Sequence, residues 1–165
     1  MPMFARSLRF ALPVAVVIGT ALAAPVSARA GDGAIVALVG NWSGNAQATL
    51  DSGQTETMRC KGYYTGQGPD GLGIAIRCAN ASSKIDLRAT LTFDNGAVSG
   101  NWEERTYNAA GSVSGKSSPN KVNLAITGGG LTAAMAVNIT GASHSVSIST
   151  QGTGLKGVNI SFNRG

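Results

Sequence analysis

Few residues in this 165-residue chain could do chemistry, and their spacing argues against most of it. His144 is the single histidine, so any Ser-His-Asp site would have to be built on it. It comes after the turn Gly141-Ala142-Ser143 and opens an alternating stretch, which is usually a solvated position, and no serine or acid motif points to it. Glu103 and Glu104 are adjacent, so on a strand they point to opposite faces and cannot work as an acid/base pair. Gly111-Ser112-Val113-Ser114-Gly115 has the frame of a nucleophile elbow with Val where the nucleophile belongs. Gly152 to Gly157 matches G-x-G-x-x-G, but the residues after it alternate like a strand where a dinucleotide site needs a helix. It reads as a hairpin loop. Tyr63 and Tyr64 beside Arg59 and Lys61 form the only aromatic and basic cluster, and one core Tyr with one surface Tyr explains it better than a nucleic-acid platform does. No catalytic residue, metal or cofactor is assigned, and the protein is expected not to be an enzyme.

The two cysteines, Cys60 and Cys78, are a different matter. With 17 residues between them they are not a redox Cys-x-x-Cys, and with one distant histidine they cannot complete a zinc site. A disulfide is the chemistry left to them, and it suits an oxidising compartment. The N-terminus agrees. Arg6 and Arg9 precede an apolar run from Phe10 to Ala24, and Ala28-Arg29-Ala30 presents small residues where a signal peptidase reads. The run is shorter than the roughly 20 residues of a membrane span. Residues 1–30 are therefore expected to be a signal peptide, and the protein periplasmic or extracellular. The formal charge of +5 falls with the leader: the 13 Lys and Arg, less Arg6, Arg9 and Arg29, leave 10 against 8 acidic residues. These 10 are spread along the sequence with no basic stripe, so nucleic acid is not expected as a partner.

The elements that must position these residues are strands. Charged residues make up only 13% of the chain and aromatics 5%, while there are 23 glycines, a composition of short strands and tight turns. After a short segment at 31–39 that lacks alternation, with Asp32 placed to cap a single helical turn, the pattern is period two. That segment is expected to plug one end of a single domain at 40–165. Pairing Cys60 with Cys78 sets Gly62 against Ile76 and Tyr64 against Ile74, all on faces that are apolar independently of the pairing. Ile85, Leu87, Ala89, Leu91 and Phe93 alternate up to Asn95-Gly96, the strongest hairpin signal in the chain. A two-residue turn there sets Ala89 against Trp102, Leu91 against Gly100 and Phe93 against Val98. It also turns Glu104 inward, opposite Leu87. Either the strand ends there and Glu104 is solvated at the rim, or it is a polar group at a ligand mouth with a raised pKa. About ten strand segments succeed one another with short connections. The fold class is all-β: an antiparallel up-and-down meander closed into a small β-barrel of 8–10 strands.

Gly40-Asn41-Trp42 recurs as Gly100-Asn101-Trp102, and the two copies hold both tryptophans. The first heads the opening strand. It resembles the Gly-x-Trp start of lipocalin and avidin-type barrels, and that resemblance implies that a basic residue from the end of the chain, Arg164, packs on Trp42. A broader resemblance is to a family of uncharacterised small secreted bacterial proteins. It is carried by Gly40 to Gly44, Glu56 through Cys60, Arg77-Cys78-Ala79, Val98 to Glu104 and Gln151-Gly152-Thr153. It implies secretion and a β-fold and brings no site residues.

The expected function is that of a secreted or periplasmic, non-enzymatic barrel binding a small apolar or amphipathic ligand. Four strands apart, Trp42 and Trp102 are expected to face each other, walling a site with Tyr64 and with Glu104 at its rim. If the indoles meet, no site remains. The alternatives are a structural or interaction module of the cell envelope without a cavity, or a small outer-membrane barrel. The last is disfavoured by scarce aromatics and short strands.

Overall fold

The computed structural model describes residues 30–152 and 154–165. The expected leader lies outside the described residues except for Ala30. One helix, α1 (Ala30–Leu38), precedes ten strands: β1 (Gly40–Leu50), β2 (Thr55–Gly66), β3 (Gly71–Ala79), β4 (Lys84–Asp94), β5 (Ala97–Glu104), β6 (Ala109–Ser118), β7 (Lys121–Gly128), β8 (Leu131–Thr140), β9 (Ser143–Gln151) and β10 (Leu155–Arg164). Each strand pairs antiparallel with the next, and β10 pairs with β1, so no sheet edge is left unpaired. The barrel thus takes the upper end of the expected strand number. Among the described residues no helix is long and apolar enough to cross a membrane.

The pairings deduced from pattern are the ones formed. Cys60 faces Cys78 and the two are bonded, with Gly62 opposite Ile76 and Tyr64 opposite Ile74. Ala89 faces Trp102, Leu91 faces Gly100 and Phe93 faces Val98. The Asn95-Gly96 turn has both residues at positive φ, 48° and 84°. That backbone matches the right-handed strand twist and is open to Asn and Gly at low cost.

Two expectations are corrected. The segment before β1 forms nine helical residues, so Asp32 lies within the helix instead of capping a single turn from outside it. The reason is packing. Ala34, Ile35 and Leu38 fall on one face and are buried against the barrel, and Gly33 rests on Pro119 of the β6–β7 turn. The strands, 8 to 12 residues long, are also not short, so length does not separate this barrel from a membrane-spanning one. The polarity of the two faces does. Most outward positions are polar or charged, as in Arg59, Lys61, Ser112, Ser114, Ser145 and Ser147, while nearly all the large apolar residues point inward. A membrane-spanning barrel has the reverse arrangement.

Helix α1 packs against β2, β4, β6 and β8 and so lies across the end where the β2–β3, β4–β5, β6–β7 and β8–β9 turns gather. The strands tilt relative to the barrel axis, as closure requires. Starting at Trp42, third residue of β1, the register runs through Gly62, Ile76 and Leu87 to Glu104, last residue of β5. Since β1 and β5 run in the same direction, this row climbs from the α1 end to the far end.

Candidate functional site

That climb separates the residues expected to share a site. Trp42 and Tyr64 lie at the α1 end, and Trp102 and Glu104 at the far end. The two indoles do not face each other across the interior, because half a turn around a tilted barrel is also a large displacement along its axis.

At the α1 end the side chains form a closed aromatic box. Trp42, 1% exposed, donates its indole N–H to the Leu38 carbonyl at 2.7 Å. The Arg164 guanidinium stacks 4.5 Å from the Trp42 ring and donates to the Val39 and Ala37 carbonyls at 2.9 and 2.8 Å. The expected packing of Arg164 on Trp42 is therefore present, and it also ties down the last turn of α1, whose carbonyls have no partners within the helix.

His144 belongs to the same box, although its sequence context pointed elsewhere. It is 2% exposed, not solvated as its place after a turn suggested. Its ring meets Trp42 edge-on at 4.4 Å, stacks on Phe162 at 4.9 Å, and hydrogen-bonds through Nε2 to the Tyr64 hydroxyl at 3.2 Å. Nδ1 has no partner. Burial, reinforced by the nearby charge of Arg164, pushes its pKa down to about 4, so the ring is neutral at physiological pH. Burial likewise pushes the Tyr64 hydroxyl pKa up. The only available signal was inward parity, since His144 shares the face of Val146 and Ile148.

At the far end, Trp102 lies flat along the wall. Its N–H donates to the Thr127 carbonyl at 3.2 Å. A methyl group at Gly111 would come within 2.7 Å of its Nε1, and one at Gly129 within 3.3 Å of its Cη2, so these glycines form the shelf that holds the ring. Glu104 ends β5 as expected but is only 8% exposed, and both oxygens are engaged. Oε1 accepts from the Asp86 amide at 2.8 Å and Oε2 from the Tyr107 amide at 2.7 Å. Burial raises its pKa, but the amides of Asp86, Tyr107 and Thr106 and the Thr106 hydroxyl outweigh that and hold it below the usual carboxylate range. The strand does end at Glu104 as expected, but the carboxylate is buried, not solvated, and its pKa is lowered, not raised. It clamps the β5–β6 turn.

Between these ends the interior is asymmetric. Inward side chains near α1, such as Phe93, Val122, Val137 and Phe162, are buried. Those farther along point inward too and pack against that core, but are only partly buried: Ile74 and Ile76, Leu87 and Ala89, Ile126, Met135, Ile148 and Val158. The Trp42–Tyr64–His144–Phe162 box thus closes the α1 end, and the apolar interior is less fully buried toward Trp102 and Glu104 at the other end.

Outside, the strands assemble a feature that the linear sequence dispersed. Arg59 and Lys61 on β2, Arg77 on β3, and Lys84 and Arg88 on β4 share one outer face, correcting the expectation that the basic residues are scattered. Tyr63, 41% exposed, stands beside them while Tyr64 is buried, the core-and-surface split expected for the pair.

No protein-family profile matches the chain, and no curated protein matches it in sequence. Solved structures do. Rv2717c from M. tuberculosis is similar with a TM-score of 0.65 at 12% identity, over 80% of this chain and 95% of that one. The S-type phycobiliprotein lyase CPES from Guillardia theta is similar with a TM-score of 0.59 at 10% identity, over 79% of this chain and 90% of that one. At such identities the likeness is one of fold, and it supports the resemblance in barrel architecture.

Proposed function

We propose that this protein is a non-enzymatic, secreted or periplasmic barrel that holds a small apolar or amphipathic ligand in the far half of its lumen. The observation that carries this is the incomplete burial of inward Ile, Leu, Val and Met side chains in that half, beside a sealed α1 end. Apolar surface left facing an internal space is a binding surface for an apolar group. The partly buried wall is made largely of Ile, Leu, Val and Met, which favours an aliphatic chain. A non-enzymatic role is supported by the engagement of Glu104, which spends both oxygens on backbone amides, and of His144, which is sealed in its box. The Cys60–Cys78 bond favours an oxidising compartment.

The test is binding of a fluorescent fatty-acid analogue, compared with Met135→Trp and Ile76→Trp variants whose indoles fill the lumen. Saturable binding lost in both variants, with the far-UV spectrum unchanged, is the expected result. Absence of binding, together with a clean apo mass for protein taken from its own host by native mass spectrometry, would leave the cavity-free envelope module as the better reading.

A further inference from the structure

The cationic outer face is independent of the lumen. Arg59, Lys61, Arg77, Lys84 and Arg88 are five of the ten basic residues outside the expected leader, and they occupy three adjacent strands. Lys61 stands directly opposite Arg77 across the β2–β3 pair. Like charges directly opposite on neighbouring strands cost stability, and the disulfide one residue along fixes the register that keeps them opposed. Asp86 lies among them, and Glu103 on β5 stands opposite Arg88 at the border of the face. Asp86 is engaged by Arg88 at 3.0 Å and more loosely by Arg77 at 3.7 Å. Among the described residues Arg59, Lys61 and Lys84 have no ion pair, and all three are exposed. They border an open groove of about 1020 Å³ that continues over the hydroxyl and amide side chains of Ser43, Asn45 and Asn163, with Tyr63 at its side.

We infer that this groove binds an acidic polysaccharide. Arginine forks match carboxylates in bidentate geometry, and lysines supply further positive charge. The Ser and Asn side chains both donate and accept, as sugar hydroxyls require. A single exposed aromatic suits stacking on one sugar face. It does not suit a single-stranded nucleic acid, which needs a series of stacking platforms. A depression open to solvent takes an internal segment of a linear chain without requiring its end.

The experiment is calorimetric titration with polygalacturonate oligomers at low ionic strength. Neutral dextran and an oligothymidylate of matched charge serve as comparison ligands. Wild-type protein should bind the polyuronate with an affinity that weakens as salt is added. Arg59→Ser/Lys61→Ser/Lys84→Ser should lose about tenfold in affinity, a few exposed charge pairs' worth. Lys116→Ser/Lys121→Ser/Lys156→Ser, which removes the same charge elsewhere, should bind as wild type does. Equal losses in the two triple variants would reduce the effect to net charge and overturn the inference. So would oligothymidylate binding as tightly as polyuronate, or no wild-type binding at all. The substituted positions are exposed on the outer wall, and far-UV spectra establish that both variants remain folded.

Discussion

Lowering the pH from 7 to 4.5 should cost this fold about 2 kcal/mol through His144 alone. In the unfolded chain the imidazole titrates near its ordinary value of 6.5, whereas in the barrel burial and the Arg164 charge push it down to about 4. Between those values the unfolded chain takes up a proton that the folded chain refuses. Stability is therefore full above about 6.5 and falls as the pH drops, by about 1.4 kcal/mol per unit, until the folded value is reached. Glu104 acts in a lower window. Its folded pKa is depressed, so its contribution is present above the ordinary carboxylate value and is lost as pH falls through the lowered one. The interval from 6.5 to 4.5 thus isolates His144. Urea unfolding monitored by tryptophan fluorescence at pH 7, 5.5 and 4.5 measures the slope. His144→Phe fills the same box but leaves the Tyr64 hydroxyl without its partner, so Tyr64→Phe/His144→Phe is the matched background. Both variants should lose the pH dependence in this interval, whatever their stability at pH 7. A decline of the same size in the double variant would refute the assignment, because the protons would then be entering elsewhere.

The geometry sets three other outcomes. Arg164→Ala removes hydrogen bonds to the carbonyls of Ala37 in α1 and Val39 just after it, and a cation stacked on Trp42; at this exposed position it should cost about 2 kcal/mol by urea unfolding and shift Trp42 emission to longer wavelength, with Arg164→Lys restoring only part. Glu104→Ala leaves the Asp86 and Tyr107 amides unpaired and should destabilise by about 2 to 3 kcal/mol, with faster amide exchange at those residues than at the α1 end. Cys60→Ser/Cys78→Ser should cost about 3 kcal/mol, a loss measured only against the oxidised wild type and absent when both proteins are compared in reductant.

The division between what was legible in the chain and what was not tracks the range of the physics involved. Period-two alternation is a property of the extended backbone, so the inward faces, the strand order and the pairings at Cys60–Cys78 and Ala89–Trp102 could be read directly. Asn95-Gly96 announces its own turn because few other residues accept that backbone. The lipocalin-like opening even placed Arg164 on Trp42. What local pattern does not carry is the tilt of strands in a closed barrel. The tilt moved Trp42 and Trp102 to opposite ends, and with them the two halves of the expected site. It does not carry cover either. His144 is buried by Trp42, Tyr64 and Phe162, which arrive from distant parts of the chain, and its place after a turn pointed the other way. Glu104 turned inward on schedule, but only the return of β4 and the 105–108 turn brought the amides that hold it ionised. The outer cations were spaced by hairpins along the chain, and the folding of those hairpins side by side made them one surface. Sequence determined which way each side chain points, because that is decided within a strand. Closure of the barrel decided which side chains meet, because tilt and circumference belong to all ten strands at once.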